Sequence, residues 1–193
     1  TISPRIQNGR IVLDDLTLDA ARIRKIDMIA CGSSYHVCMV GKYNLEKLTR
    51  IPVEVSLASE FRYADPIVDE GTLVIVISQS GETLDTMAAM REAKARGARV
   101  LAIVNVVGSS IAREADDVLY TWAGPEIAVA TTKAYSTQLA MVAQLALYLA
   151  DARGTIAPER YAQLVAELER LPEKVAKVLE NQKEIQYFAS QFF

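Results

Sequence analysis

Four side chains that can donate hydrogen bonds lie within the short segment Ser78–Thr83, which reads Ser-Gln-Ser-Gly-Glu-Thr. Ser78, Ser80 and Thr83 carry hydroxyls, and Gln79 carries an amide. The segment contains no lysine or arginine, whereas the P-loop of nucleotide-binding proteins uses a lysine to bind phosphates. Neutral donors instead suit a singly esterified phosphate that must be released after turnover. We interpret the segment as a phosphate-binding turn; the simpler alternative is that Ser80 or Thr83 only caps a helix.

The flanking residues predict a strand before this turn and a helix after it. Leu73–Ile77 is an unbroken apolar run, as expected of a central parallel strand that helices cover on both faces. Residues 83–96 contain mostly strong helix formers, and Gly97 is typical of a helix C-terminus. Ligands of open α/β sheets bind beyond the carboxyl ends of the strands. A helix N-terminus at that place presents free N–H groups and favours an anion.

A second segment has the same organisation: residues 26–30 predict a strand, Cys31-Gly32-Ser33-Ser34 a turn and residues 35–49 a helix. If the two strands are neighbours, both turns converge on one crevice. His36 is the only histidine, and Glu82 is explained by the dipole of the following helix. Neither has a partner in the sequence that would orient it or tune its pKa, so no catalytic residue is assigned.

Three further strands are predicted at Pro52–Leu57, Arg99–Val104 and Val118–Trp122, and a long helix at Ala134–Ala150. Strands that alternate with helices predict an α/β fold with a five-stranded parallel, doubly wound, flavodoxin-like sheet. We divide the chain into an N-terminal arm (residues 1–24), the α/β domain (25–153) and a purely helical C-terminal tail (154–193).

The composition limits the classes of function. The 193 residues, 51% of them hydrophobic, suit one globular domain with a sizeable core. The net charge of −3 and the lack of a basic stripe argue against a nucleic-acid partner. Cys31 and Cys38 are too few for a disulfide framework and lack a zinc-site spacing, so we expect no metal or other cofactor. No signal peptide or membrane-spanning stretch is evident, and a cytoplasmic location is expected.

Several motifs resemble the sugar isomerase (SIS) domain family: CGSSYH, ASEFRY, ISQSGETLDT, NVVGSSIARE and AGPEIAVATTKAY. SQSGET alone is similar to many phosphosugar-binding SIS proteins. SEFRY together with EIAVATTKAY, in this order and spacing, resembles more narrowly the first of the two SIS domains of glutamine–fructose-6-phosphate aminotransferases. Because the chain begins at Thr1 and ends inside a helical pattern, we expect it to be part of a longer protein.

The resemblance implies a set of substrate-binding residues. The serines of the first turn and the SQS-x-x-T segment would meet the sugar phosphate, the VAT segment would line the sugar, and the cysteine would lie at the edge of the pocket. The implied residues are Cys31, Ser33, Ser34, Ser78, Gln79, Ser80, Thr83, Val129 and Thr131.

The resemblance also implies partners. These are fructose 6-phosphate or glucosamine 6-phosphate as ligand, a second SIS domain and a glutaminase domain in the parent chain, and a second copy in a homodimer. The family's catalytic residues lie in or after the second SIS domain, so this chain alone is expected to be inactive. Two alternatives stay open: a phosphosugar-sensing regulator, and a related phosphosugar deglycase or isomerase.

Overall fold

The computed structural model describes residues 1–13, 16–128 and 131–192. A short antiparallel ribbon, β1 (Ile6–Gln7) and β2 (Arg10–Ile11), follows a single 3₁₀ turn at Ser3–Arg5. Five parallel strands then form the main sheet: β3 (Lys25–Ala30), β4 (Val53–Leu57), β5 (Thr72–Ser78), β6 (Arg99–Val104) and β7 (Asp117–Tyr120). Their spatial order is β4-β3-β5-β6-β7. This is the flavodoxin-like order, and the predicted fold class is confirmed.

Helices cover both faces of the sheet. One face carries α1 (Gly32–Thr49) and α5 (Thr132–Ala152), and the other carries α2 (Ala58–Phe61), α3 (Leu84–Ala95) and α4 (Ser110–Glu114). Every residue of β5 is buried, because its side chains alternate between the two cores. Ile75 belongs to the core under α1 and α5, whereas Val74 and Val76 belong to the core under α3. The continuous apolar run in the sequence is thus explained by burial on both sides.

The C-terminal tail is helical, as predicted, and consists of α6 (Pro158–Glu169), α7 (Leu171–Leu179) and α8 (Gln182–Ser190). The first of these helices packs on the domain through Tyr161 and Val165, and the Tyr161 hydroxyl accepts the Ile11 N–H at 2.8 Å. In contrast, α7 and α8 contain no buried residue. Phe188 of α8 exposes 64% of its surface. The domain boundaries at residues 24 and 153 stay predictions.

Several element boundaries differ from the sequence-based expectation by one to three residues, and two of these differences have a clear structural reason. The first long helix begins at Gly32 instead of residue 35, because Cys31 is extended and the serines after it already belong to the first helical turn. The last strand ends at Tyr120 rather than Trp122, since Trp122 has a positive φ of 53° that an extended strand does not allow. Within the described residues, none of the helices combines the length and apolarity needed to cross a membrane.

Candidate phosphate-binding site

The two predicted turns leave the sheet side by side. Ala30, the last residue of β3, pairs with Ile77 of β5, and the chain then continues into Cys31 and Ser78. The helices that follow lie on opposite faces of the sheet. This is the switch point of a doubly wound sheet, where ligands bind between the diverging loops.

The turn after β5 is held by its own hydroxyls. The Ser78 hydroxyl accepts the Gly81 N–H at 3.0 Å and lies 3.1 Å from the hydroxyl of Thr83. The Ser80 hydroxyl accepts the Glu82 N–H at 3.2 Å. Thr83 is the N-cap residue of α3 by position, but its side chain makes no capping hydrogen bond. The simpler interpretation, that the Thr83 hydroxyl serves only as a helix cap, is therefore wrong.

Gly81 allows the turn to pack directly against the loop before α4. Its φ is +69°, and a Cβ built on it would lie 2.0 Å from the Ser109 hydroxyl oxygen. Ser109 is buried, and its hydroxyl has no hydrogen-bond partner among the described residues. Any side chain at position 81 would thus displace the neighbouring loop, so this turn requires a glycine.

Glu82 adds a solvent-exposed hydrogen bond beside the contact between Gly81 and Ser109. Its carboxylate accepts the Ser110 N–H at 2.8 Å, and the Gly81 carbonyl accepts the Ile111 N–H at 3.0 Å. Hydrogen bonding from Ser110 holds the pKa of the Glu82 carboxyl below its usual range. A carboxylate in this setting stays ionised and satisfies the start of α4; that it also complements the dipole of α3 stays a prediction. It is poorly suited to act as a base.

The serines of the first turn point towards α5. The hydroxyl of Ser33 lies 2.7 Å from that of Thr131, and the Ser34 hydroxyl donates to the Gln138 side-chain oxygen at 3.1 Å. Ser34 is buried, whereas Ser33 is only half-buried. Ser33 is thus partly exposed, whereas the Ser34 hydroxyl joins α1 to α5.

Cys31, in the first turn, contacts the helix that follows the second turn. The Thr86 hydroxyl of α3 donates to the Cys31 sulfur at 3.9 Å. The structure therefore brings Cys31, Ser33 and Thr131 together beside the turn at residues 78–83. Val129 lies outside the described residues.

The described part of the crevice contains donors but no positioned acid–base pair. His36 is exposed on α1, and its ring packs edge-on against Tyr35 at a centroid distance of 5.7 Å. Among the described residues, no three His, Cys, Asp or Glu side chains are grouped so that they could hold a metal ion. This arrangement can bind and orient an anion by neutral hydrogen bonds at helix N-termini.

Comparison with known proteins identifies the family. The sequence pattern of the SIS domain matches residues 21–148. The chain belongs to the SIS domain family. This SIS domain is 56% identical over 194 residues to a glutamine–fructose-6-phosphate aminotransferase (isomerizing) of Clostridium tetani, with 98% of the chain and 32% of that protein covered. It is 55% identical to the protein of the same name from Caldanaerobacter subterraneus subsp. tengcongensis, covering 97% of the chain and 31% of that protein.

A solved structure supports the same relationship. The C-terminal domain of glucosamine-fructose-6-phosphate aminotransferase from Francisella tularensis superposes with a TM-score of 0.92 at 36% sequence identity. The alignment covers 97% of this SIS domain and 54% of that chain. The chain thus spans about a third of the length of the curated relatives it matches.

Sequence reasoning missed the residues that support the site of this SIS domain. Asn105 follows β6 and bonds the turn at residues 121–124, and Glu126 accepts the Ala134 N–H at the start of α5 at 3.1 Å. The position of Asn105, a polar residue at the carboxyl end of a buried strand, was the available signal. Glu126 carried no comparable signal, because its partner lies in a helix eight residues later.

Proposed function

We propose that this SIS domain is the phosphosugar-binding domain of a glutamine–fructose-6-phosphate aminotransferase, and the first of its two SIS domains. The observation that carries the proposal is the turn Ser78–Thr83, where neutral donors gather at the carboxyl end of β5 and directly before α3. The relatives that carry this name support the choice of substrate class. The parent enzyme would convert fructose 6-phosphate and glutamine into glucosamine 6-phosphate and glutamate.

In this proposal the turn binds the phosphate group. The hydroxyls of Ser78 and Thr83, which now bond each other, rotate towards the phosphate oxygens together with Ser80 and the Gln79 amide. Ser33 and Thr131 face the sugar from the other side of the crevice, with Cys31 at its edge. Ser34 acts through Gln138 as support for this wall.

The task of the domain is to hold the substrate by a group remote from the reacting carbons. Binding energy from the phosphate then positions the sugar for proton transfer between C1 and C2. That transfer needs a positioned base, which we assign to another part of the parent protein. The second SIS domain, the glutaminase domain and a second copy of the chain are the proposed partners.

The proposal is tested by calorimetric titration of the chain with fructose 6-phosphate. Replacing Ser78, Ser80 and Thr83 together by alanine removes three donors to a charged ligand. We expect affinity to fall more than tenfold, since each such hydrogen bond contributes about 1.5–3 kcal/mol. Ser190→Ala is the matched control, because this hydroxyl bonds only residues of the exposed tail: it donates to the Tyr187 carbonyl and accepts from the Gln191 side chain. Equal affinity of the folded triple variant and the wild type would exclude this phosphate site.

A further inference from the structure

Asn105 connects the two sides of the crevice. The residue directly follows β6, and its main-chain N–H donates to the Gln79 carbonyl at 3.2 Å. Its side chain contacts the loop after β7: the amide oxygen accepts the Thr121 hydroxyl at 2.9 Å and the Ala123 N–H at 2.8 Å, and the amide nitrogen donates to the Gly124 carbonyl at 2.8 Å. One residue thus bonds both the phosphate turn and the loop that leads to α5.

The loop held by Asn105 reverses sharply. Trp122 and Gly124 have φ angles of +53° and +71°, and a non-glycine residue adopts such a conformation only when its surroundings enforce it. The three side-chain hydrogen bonds of Asn105 provide that constraint. Its half-buried amide is fully engaged on the oxygen side, which accepts two hydrogen bonds.

Further along the chain, the same loop forms one side of the crevice. Glu126 accepts the N–H groups of Ala128 at 3.2 Å and Ala134 at 3.1 Å, which fixes the loop to the start of α5. Thr131 then meets Ser33 at 2.7 Å. Asn105 is thus bonded to a loop whose next part is fixed, through Glu126, to the start of α5.

We infer that Asn105 is a positioning residue, which sets the distance between the phosphate turn and the loop that faces the sugar. The inference rests on the proposed function. The side chain of Asn105 bonds only the loop after β7, whereas its main chain bonds Gln79. A side-chain substitution therefore frees the loop that faces the sugar and leaves the turn Ser78–Thr83 in place. The side chain is thus expected to affect recognition of the sugar more than recognition of phosphate.

The experiment compares two probes, fructose 6-phosphate and inorganic phosphate, by NMR titration of the Ser78–Thr83 amides. Asn105→Ala removes all three side-chain bonds, and we expect about a tenfold loss of affinity for fructose 6-phosphate with less than a twofold change for phosphate. Asn105→Asp keeps the two accepted bonds but places a carboxylate oxygen against the Gly124 carbonyl, and we expect an intermediate loss of about threefold. Asn181→Ala, in the exposed tail, is the matched control.

The possible outcomes distinguish a failure of the inference about Asn105 from a failure of the proposed function. If wild type binds both probes and neither variant weakens fructose 6-phosphate, the inference about Asn105 is wrong and the proposed function stands. A parallel loss for both probes in Asn105→Ala also overturns it, because the side chain would then support the phosphate turn itself. If Asn105→Ala does not fold, Asn105→Asp decides alone: a larger loss of affinity for fructose 6-phosphate than for phosphate supports the inference, and equal losses overturn it. Wild type that binds neither probe overturns the proposed function and the inference together.

Discussion

The two strand–turn–helix units at the switch point look alike in sequence but are built differently. After β3, α1 begins at Gly32, so Ser33 and Ser34 belong to its first turn. After β5, residues 79–83 separate the strand from α3. The Thr83 hydroxyl bonds the hydroxyl of Ser78 at the strand end, and the Ser80 hydroxyl accepts the Glu82 N–H. The first unit uses its hydroxyls to hold α5, whereas the hydroxyls of the second bond groups of the same turn.

This difference shows that a glycine-and-serine segment after a strand has two possible outcomes. The helix begins at once when another helix supplies partners for the hydroxyls, as Gln138 and Thr131 do for the first unit. A loop persists when a neighbouring loop braces it from outside, as Ser109 and Ser110 do for the second. In both units the N-cap side chain, Cys31 or Thr83, makes no capping hydrogen bond, so the units differ in the partners of their hydroxyls.

The largest difference in stability between the two units is expected when a glycine is replaced by alanine in each unit separately. Gly81→Ala places a Cβ 2.0 Å from the Ser109 oxygen at a positive φ of 69°. We expect the free energy of unfolding to fall by about 2–4 kcal/mol, since overpacking adds to backbone strain. Gly32→Ala is the matched control, because its φ is +57° and nothing lies within 4 Å of the new Cβ. Urea denaturation measures both; equal losses would contradict the proposed steric brace.

A smaller effect distinguishes the hydroxyls of the two units. Ser34→Ala leaves the buried Gln138 oxygen without its Ser34 donor, and we expect a loss of about 1–2 kcal/mol in unfolding free energy. Ser80→Ala removes a local bond to the exposed Glu82 N–H, so we expect less than about 0.5 kcal/mol. Thermal unfolding followed by circular dichroism provides the measurement. A larger loss for Ser80→Ala than for Ser34→Ala would reverse the assignment of structural and binding roles.

The smallest effect is a pH dependence confined to the second unit. The Ser110 hydrogen bonds hold the pKa of Glu82 below its usual range. A lowered carboxyl pKa stabilises the folded state above the usual glutamate range, and this contribution is lost as pH falls through the lowered pKa. We expect the exchange protection of the Ser110 amide to decrease from about pH 6 to about pH 3.

The reference for this measurement is the Tyr135 amide, which donates to the Thr131 carbonyl at 2.9 Å beside the first unit. Its protection is expected to stay constant over the same pH interval. Glu82→Gln is the control variant, since its side chain still accepts the Ser110 N–H but does not titrate. A decrease for Ser110 that persists in Glu82→Gln would show that another group is responsible.

The sequence by itself determined the order of strands and helices along the chain and the segments that carry the hydrogen-bond donors. Runs such as Leu73–Ile77 are apolar at every position because helices cover both faces of the sheet. Gly81 and its hydroxyl neighbours predict a turn because glycine tolerates positive φ and serine bonds the local backbone. Both signals come from residues adjacent in the chain, so they are present before any tertiary contact forms.

Only the tertiary structure decided what the hydroxyls of the first unit bond and where α1 begins. The partners of Ser33 and Ser34 lie 98 and 104 positions further along the chain. Asn105 likewise bonds residues that follow β7, and Glu82 bonds the start of α4. Such contacts depend on how the five strands are ordered in the sheet. A segment of sequence carries its own propensities, but it carries no information about which distant donor or acceptor the fold brings to it.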